Sequence, residues 1–196
     1  MTQAGELRQK VNAAYSKAAA HPGARHPFPV GRAFAEGVGY AAESLRGLPP
    51  VSVDAFTGVS NVSVFASIPQ SSIVLDLGCG AGLDSLIAAQ RTGAAGRVVG
   101  VDFSPTMLAR ARHAQCESGA ERVWFCQADA EKLPMPDRSI DVALVNGIFN
   151  LNPERKAIFR ELGRVVKPGG TVYAAELILR APLPEGARQH DDNWFA

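Results

Sequence analysis

Three glycines and two aspartates at strand ends carry the chemistry that can be read from this chain. Gly78, Gly80 and Gly82 alternate within VLDLGCGAGLDSLIAA, residues 74–89, between an apolar run and an Ala/Leu-rich stretch. A backbone so bare admits a ligand closely and takes positive φ without a Cβ clash. Glycine turns after a strand serve dinucleotides, nucleoside triphosphates and adenosyl cofactors alike. Leu83 stands where a dinucleotide fingerprint wants its third small residue, and no Walker lysine follows. Asp84, near the start of the next helix, would repel phosphates. Asp102 ends an apolar run roughly 20 residues beyond the turn, where a carboxylate can hold a ribose diol. That position suits a dinucleotide and an adenosyl cofactor equally. Asp129, in Gln127-Ala128-Asp129-Ala130, ends the next run, where it could accept from an adenine amino group. Singly, each glycine is equally a tight turn and each aspartate equally a cap. Together, in this order, they compose one adenosyl site.

The elements that must position them follow from the texture of the chain. From Ser72 onward, short β-branched runs alternate with helical segments, the pattern of a parallel sheet with crossover helices. Strands are expected at Ile73–Asp76, Arg97–Asp102, Arg122–Gln127, Ile140–Val145 and Thr171–Leu179. Helices are expected at Ala81–Thr92, Pro105–Ser118 and Pro153–Val166, the last ended by the turn Lys167-Pro168-Gly169-Gly170. The fold class is therefore α/β, doubly wound and mainly parallel, and its ligands bind beyond the carboxyl ends of the strands. Upstream, Leu7, Val11, Ala14, Tyr15 and Ala18 mark one amphipathic helix over Gly5–Ala20, stopped at His21-Pro22-Gly23. Frequent prolines and glycines from Ala24 to Gln70 leave room for short helices at Phe34–Leu45 and Ser63–Ser67. Residues 1–70 thus read as an irregular helical extension, a lid, and residues 71–196 as the ligand-binding domain.

Composition excludes several function classes. With 46% hydrophobic residues, 20% charged residues and a formal charge of +1, the chain lacks the footprint of a nucleic-acid binder. Cys79, Cys116 and Cys126 are odd in number and widely spaced, which suggests neither a disulfide framework nor a metal site. A reducing, cytoplasmic setting is expected, with neither a targeting segment nor a membrane span.

In combination, the glycine loop, Asp102 and Asp129 resemble the class I S-adenosylmethionine-dependent methyltransferases over roughly Ser72–Leu179. The resemblance implies S-adenosylmethionine as cofactor and a small-molecule methyl acceptor. It implies that Gly78, Cys79, Gly80 and Gly82 face the methionine part, and that Asp76 supports the loop and the cofactor's amino group. Asp102 would hold the ribose, Asp129 and Ala130 would meet the adenine, and Phe103 and Met107 would complete the cofactor wall. Asn146 would line the floor where donor and acceptor meet, and Tyr15 would join it catalytically if the first helix folds over the cofactor. Asn150, His21, His26, Arg25 and Arg32 are further candidates for the acceptor side.

Gly39-Tyr40-Ala41-Ala42-Glu43-Ser44-Leu45, Gly82-Leu83-Asp84-Ser85 and Val145-Asn146-Gly147-Ile148-Phe149-Asn150-Leu151-Asn152-Pro153 resemble a narrower group, the arsenite methyltransferases. That group binds trivalent arsenic through cysteine thiolates, soft ligands for a soft element. Where it has cysteines, this chain has Val59 and Gly147, so the resemblance implies shared architecture with a changed acceptor pocket. Quinone-precursor C-methyltransferases share the glycine loop and the segment Leu133-Pro134-Met135-Pro136-Asp137. A silent cofactor-binding module is a third reading. Class I methyltransferases add two strands after the fifth, so either the chain is truncated here or its edge is covered otherwise. An exposed edge invites pairing, which makes a homodimer an expectation.

Overall fold

The computed structural model describes residues 3–179. Five short strands form one wholly parallel sheet: β1 Ile73–Leu77, β2 Arg97–Asp102, β3 Val123–Gln127, β4 Ile140–Asn146 and β5 Val166–Ala175, in the order β3-β2-β1-β4-β5. The chain runs outward from β1 through β2 to β3, then returns to pair β4 against the other side of β1. The strand order reverses between β1 and β4, which makes the carboxyl end of β1 the topological switch point.

Helices α1 Gln3–Ala20, α2 Arg32–Gly37, α3 Ala42–Arg46, α4 Pro50–Val53 and α5 Val62–Phe65 precede the sheet. The expected helix over Phe34–Leu45 is split in two, because Gly39 adopts φ +103 between α2 and α3. The crossovers are α6 Leu83–Thr92, α7 Pro105–Ser118 and α8 Arg155–Val165. α6 starts at Leu83, two residues later than expected, since Gly82 is its left-handed N-cap. α7 has the signals its sequence promised: Ser104 caps it by accepting from Met107 N (3.3 Å), Pro105 opens it, and left-handed Gly119 ends it.

Alternation along β1 divides the core. Val74 packs with α6 and with Tyr40, Leu45, Val53, Phe56 and Val62 of the N-terminal segment, so those early residues share the core of the sheet. Leu75 and Leu77 pack on the other face with Ile158, Leu162 and Val165 of α8. No helix links β3 to β4. Arg164 of α8 holds that connection instead, donating to Leu133 O (2.9 Å) and Met135 O (2.8 Å) and pairing with Asp137 (2.7 Å).

The last strand differs from expectation. β5 begins at Val166 and ends at Ala175, and Lys167-Pro168-Gly169-Gly170 is a bulge inside it rather than a turn before it. Lys167 Nζ pairs with Asp141 (2.7 Å), whose other oxygen accepts from Ile73 N (2.8 Å), which pins the strand start to β4. Gly169 then takes φ +83, and the extra residues loop out before pairing resumes at Thr171.

Ser104→Ala removes the α7 cap from a fully buried position. Urea unfolding is expected to show a loss of about 1 kcal/mol with an unchanged m-value; an unchanged midpoint would mean that the cap bond contributes nothing.

Candidate functional site

A cavity of about 260 Å³ opens at the switch point. The carboxyl ends of β1, β2, β3 and β4 supply Gly78, Asp102, Asp129 and Asn146 to its wall, and α1 supplies Tyr15. The strand ends anticipated from sequence are thus brought together around one space.

The loop after β1 is held by β2. Gly78 N and Cys79 N both donate to Val101 O, at 2.8 and 3.0 Å. Gly80 N donates to one oxygen of Asp102 (2.9 Å), and Ser104 N donates to the other (2.8 Å). Asp102 therefore ties the glycine loop to the start of α7, with lone pairs left on each oxygen for a ligand. Its burial pushes the carboxyl up from the ordinary range, and the amides of Ser104, Gly80 and Phe103 oppose that shift. Gly80 is left-handed (φ +52), and a Cβ there would meet only Met107 Sδ, at 3.9 Å. Its bare side is open, as a cradle for a ligand requires.

Gly82 is placed differently from Gly80: it lies outside the cavity wall, and a Cβ there would lie 2.8 Å from Phe125 Cζ and 3.2 Å from Ala111 Cβ. This glycine serves the close packing of α6 and its left-handed cap. Cys79 lines the cavity, but its thiol packs toward Gly100, and burial, with Asp102 and Asp76 nearby, pushes the thiol up and keeps it protonated. Phe103, Met107 and Ala130 lie in the wall where expected.

Behind the loop, two further aspartates are buried. Asp76 accepts from Ser85 Oγ (2.5 Å), and burial, reinforced by the charge of Asp84, raises its pKa to about 8. Asp84 is the hub of a network. One oxygen accepts from Tyr40 Oη (2.5 Å), Ser63 N (3.2 Å) and Ser63 Oγ, and the other from Asn146 Nδ2 (2.9 Å). Asn146 Oδ1 in turn accepts from Val59 N (2.8 Å) and Ser60 N (3.1 Å), and Nδ2 also donates to Ser60 O (2.7 Å). Asn146 lies in the cavity wall, and its amide clamps the 59–60 loop over β4. Asp84, Ser63 and Ser85 were not foreseen as site residues. An acid in the first turn of α6, next to Leu83, was the one signal.

α1 is strapped across the opening. Arg8 pairs with Glu131 beyond β3, Ser16 Oγ bonds Ser104 Oγ (3.1 Å), and Arg110 donates to Ala19 O and to Val51 O (3.2 Å). Tyr15 stacks on Phe28 with ring centroids 4.6 Å apart. Burial, with Glu176 and Asp102 nearby, pushes its phenol well above the ordinary range, so it stays protonated. Of the other acceptor candidates, Asn150 donates its backbone N–H to Glu176 (3.1 Å) and its side-chain amide to Leu177 O and lies outside the wall, as do His21, His26, Arg25 and Arg32. Val59 and Gly147 meet: a Cβ on Gly147 would lie 2.9 Å from Val59 Cγ1. Among the described residues no His/Cys/Asp/Glu cluster could hold a metal ion, and no helix is long and apolar enough to cross a membrane.

Residues 69–195 match the family described as a methyltransferase domain. The arsenite methyltransferase of Halobacterium salinarum is 35% identical over 158 residues, which cover 81% of this chain and 40% of that protein. The demethylmenaquinone methyltransferase of Lactococcus lactis is 34% identical over 103 residues, covering 53% of this chain and 41% of that protein. The chain thus spans about two fifths of the length of these curated relatives. The crystal structure of an arsenic(III) S-adenosylmethionine methyltransferase from Chlamydomonas reinhardtii superposes with a TM-score of 0.62 at 27% identity, covering 83% of this chain and 54% of that one.

The raised pKa of Asp76 makes stability depend on pH. Unfolded, the group titrates near ~3.9; folded, at about 8. Between these values the folded state holds a proton that the unfolded state has lost, so this contribution to stability is complete below pH ~4 and declines as pH rises through about 8. Asp76→Asn keeps an acceptor for Ser85 and removes the titration. Urea unfolding at pH 5 and pH 8 is expected to show a smaller decline in the variant than in the wild type. Equal declines would place the proton elsewhere.

Proposed function

The chain belongs to the methyltransferase-domain family, close to its arsenite methyltransferase group, and on that footing we propose that it transfers a methyl group from S-adenosylmethionine to a small-molecule acceptor not held by thiolates. The observation that carries this reading is the convergence of the glycine loop, Asp102 and Asp129 on one cavity at the switch point. The residues present suit the donor: Gly80 leaves an open cradle, and Asp102 retains lone pairs for ribose hydroxyls.

When bound, the donor supplies a methyl group on a cationic sulfur. The protein's part is to position and to exclude water. Asp102 fixes the loop and offers acceptors to the ribose; Asp129 and Ala130 flank the space beyond β3 for the adenine. Tyr15, a protonated phenol under α1, can donate a hydrogen bond but cannot serve as a resident base. Asn146 acts on the acceptor side through the 59–60 loop that it holds.

The acceptor reading rests on Val59 and Gly147. These positions, where the arsenite group's cysteines are expected, lie against each other without a thiol between them. Cys116 is exposed, Cys126 half-buried, and Cys79 is a buried residue of the glycine loop whose thiol packs toward Gly100. A thiophilic acceptor would find no convergent ligands there. That same observation favours a carbon-acceptor reading, of the quinone-precursor type, over an arsenic one.

Calorimetric titration with S-adenosylhomocysteine, followed by arsenite, tests both halves. Saturable binding of the first and no heat from the second are expected. Asp102→Ala should weaken S-adenosylhomocysteine by about 1.5–3 kcal/mol, the contribution of hydrogen bonds to a charged group. An unchanged affinity would refute the ribose assignment, and arsenite heat would refute the acceptor argument. Failure of any acceptor panel to yield S-adenosylhomocysteine would favour a silent binding module.

A further inference from the structure

Among the buried side-chain oxygens of the described residues, only Ser52 Oγ lacks a hydrogen-bond partner. Ser52 is 0% exposed, sits on α4 and lies in the wall of the cavity. Native proteins seldom leave a buried hydroxyl unpaired, so one in a cavity wall is a candidate to be completed by what the cavity binds.

We infer that Ser52 is a ligand contact, its hydroxyl donating to the carboxylate at the amino-acid end of the bound donor. This rests on the proposal that the cavity takes an S-adenosyl compound. Position selects the end. Asp129 and Asp102 lie beyond β3 and β2, which assigns that side to adenine and ribose and sends the rest of the molecule over the glycine loop. Ser52 shares the wall with Ala55, three residues on, and Ala55 packs with Ala81 of that loop and with Met107. Charge selects the group. Asp84 is filled by its own donors and Asp102 faces the ribose side, so Asp76 is the acid of the wall left to accept from an ammonium, and the carboxylate of that end needs a donor. Arg8, the one cation among the described residues of the wall, is paired with Glu131 on the adenine side. A serine hydroxyl is a neutral donor that the surrounding acids do not capture.

The test compares S-adenosylhomocysteine with 5′-methylthioadenosine, which lacks the amino-acid end, by calorimetry on the wild type, Ser52→Ala and Ser52→Thr. Ser52→Ala is expected to weaken S-adenosylhomocysteine about 10-fold or more, as for loss of a hydrogen bond to a charged group. It should leave 5′-methylthioadenosine unchanged, and Ser52→Thr should restore the difference. An unchanged affinity for S-adenosylhomocysteine, or an equal loss for both ligands, overturns the inference. A wild type that binds neither ligand overturns the donor reading beneath it, an outcome separable from any effect of Ser52.

Discussion

The carboxylate of Asp84 joins three parts of the chain that are far apart in sequence. Tyr40 lies 44 residues away, Ser63 21 and Asn146 62, and all donate to it. A buried carboxylate is unfavourable unless its lone pairs are filled. The N-terminal segment, the start of α6 and the end of β4 must therefore assemble together or leave an uncompensated charge inside. The roof of the cavity and its floor are positioned by one group. Through Asn146, the same network sets where Val59 stands against Gly147, and so shapes the acceptor side.

Two other acids lie close by, and their environments separate them. Asp102 retains amide donors from Gly80 and Ser104, which oppose the effect of burial. Asp76 has one hydroxyl from Ser85 and the repulsion of Asp84, so it favours the protonated form near neutrality. The carboxylates of Asp84 and Asp102 beside one loop favour positive charge in the cavity. They also explain why a phosphate ligand is disfavoured at a glycine turn of this kind.

The N-terminal helices form part of the same core and are not an appendage. Tyr40, Leu45, Val53 and Phe56 pack with Val74 and Leu86, while α1 is strapped over the opening through Arg8, Ser16 and the carbonyl of Ala19. α1 is thus held by these polar contacts and by its own buried Val11, Ala18 and Ala19 together.

The sequence by itself determined the parallel α/β class, the glycine turn and the acids at the ends of β2 and β3. These are local properties: residue periodicity decides strand or helix, and alternate glycines decide which backbone angles are open. It could not distinguish Gly80, open to the cavity, from Gly82, filled by Phe125 and Ala111, because both satisfy the same turn. Nor could it show that Asn146 is consumed by Val59, Ser60 and Asp84, or that Ser52 is left without a partner. The bulge at Lys167–Gly170 likewise depends on Asp141, in another strand. Only the tertiary structure decided these points, because a side chain's hydrogen bonds and the space around a missing Cβ are set by segments distant in the chain.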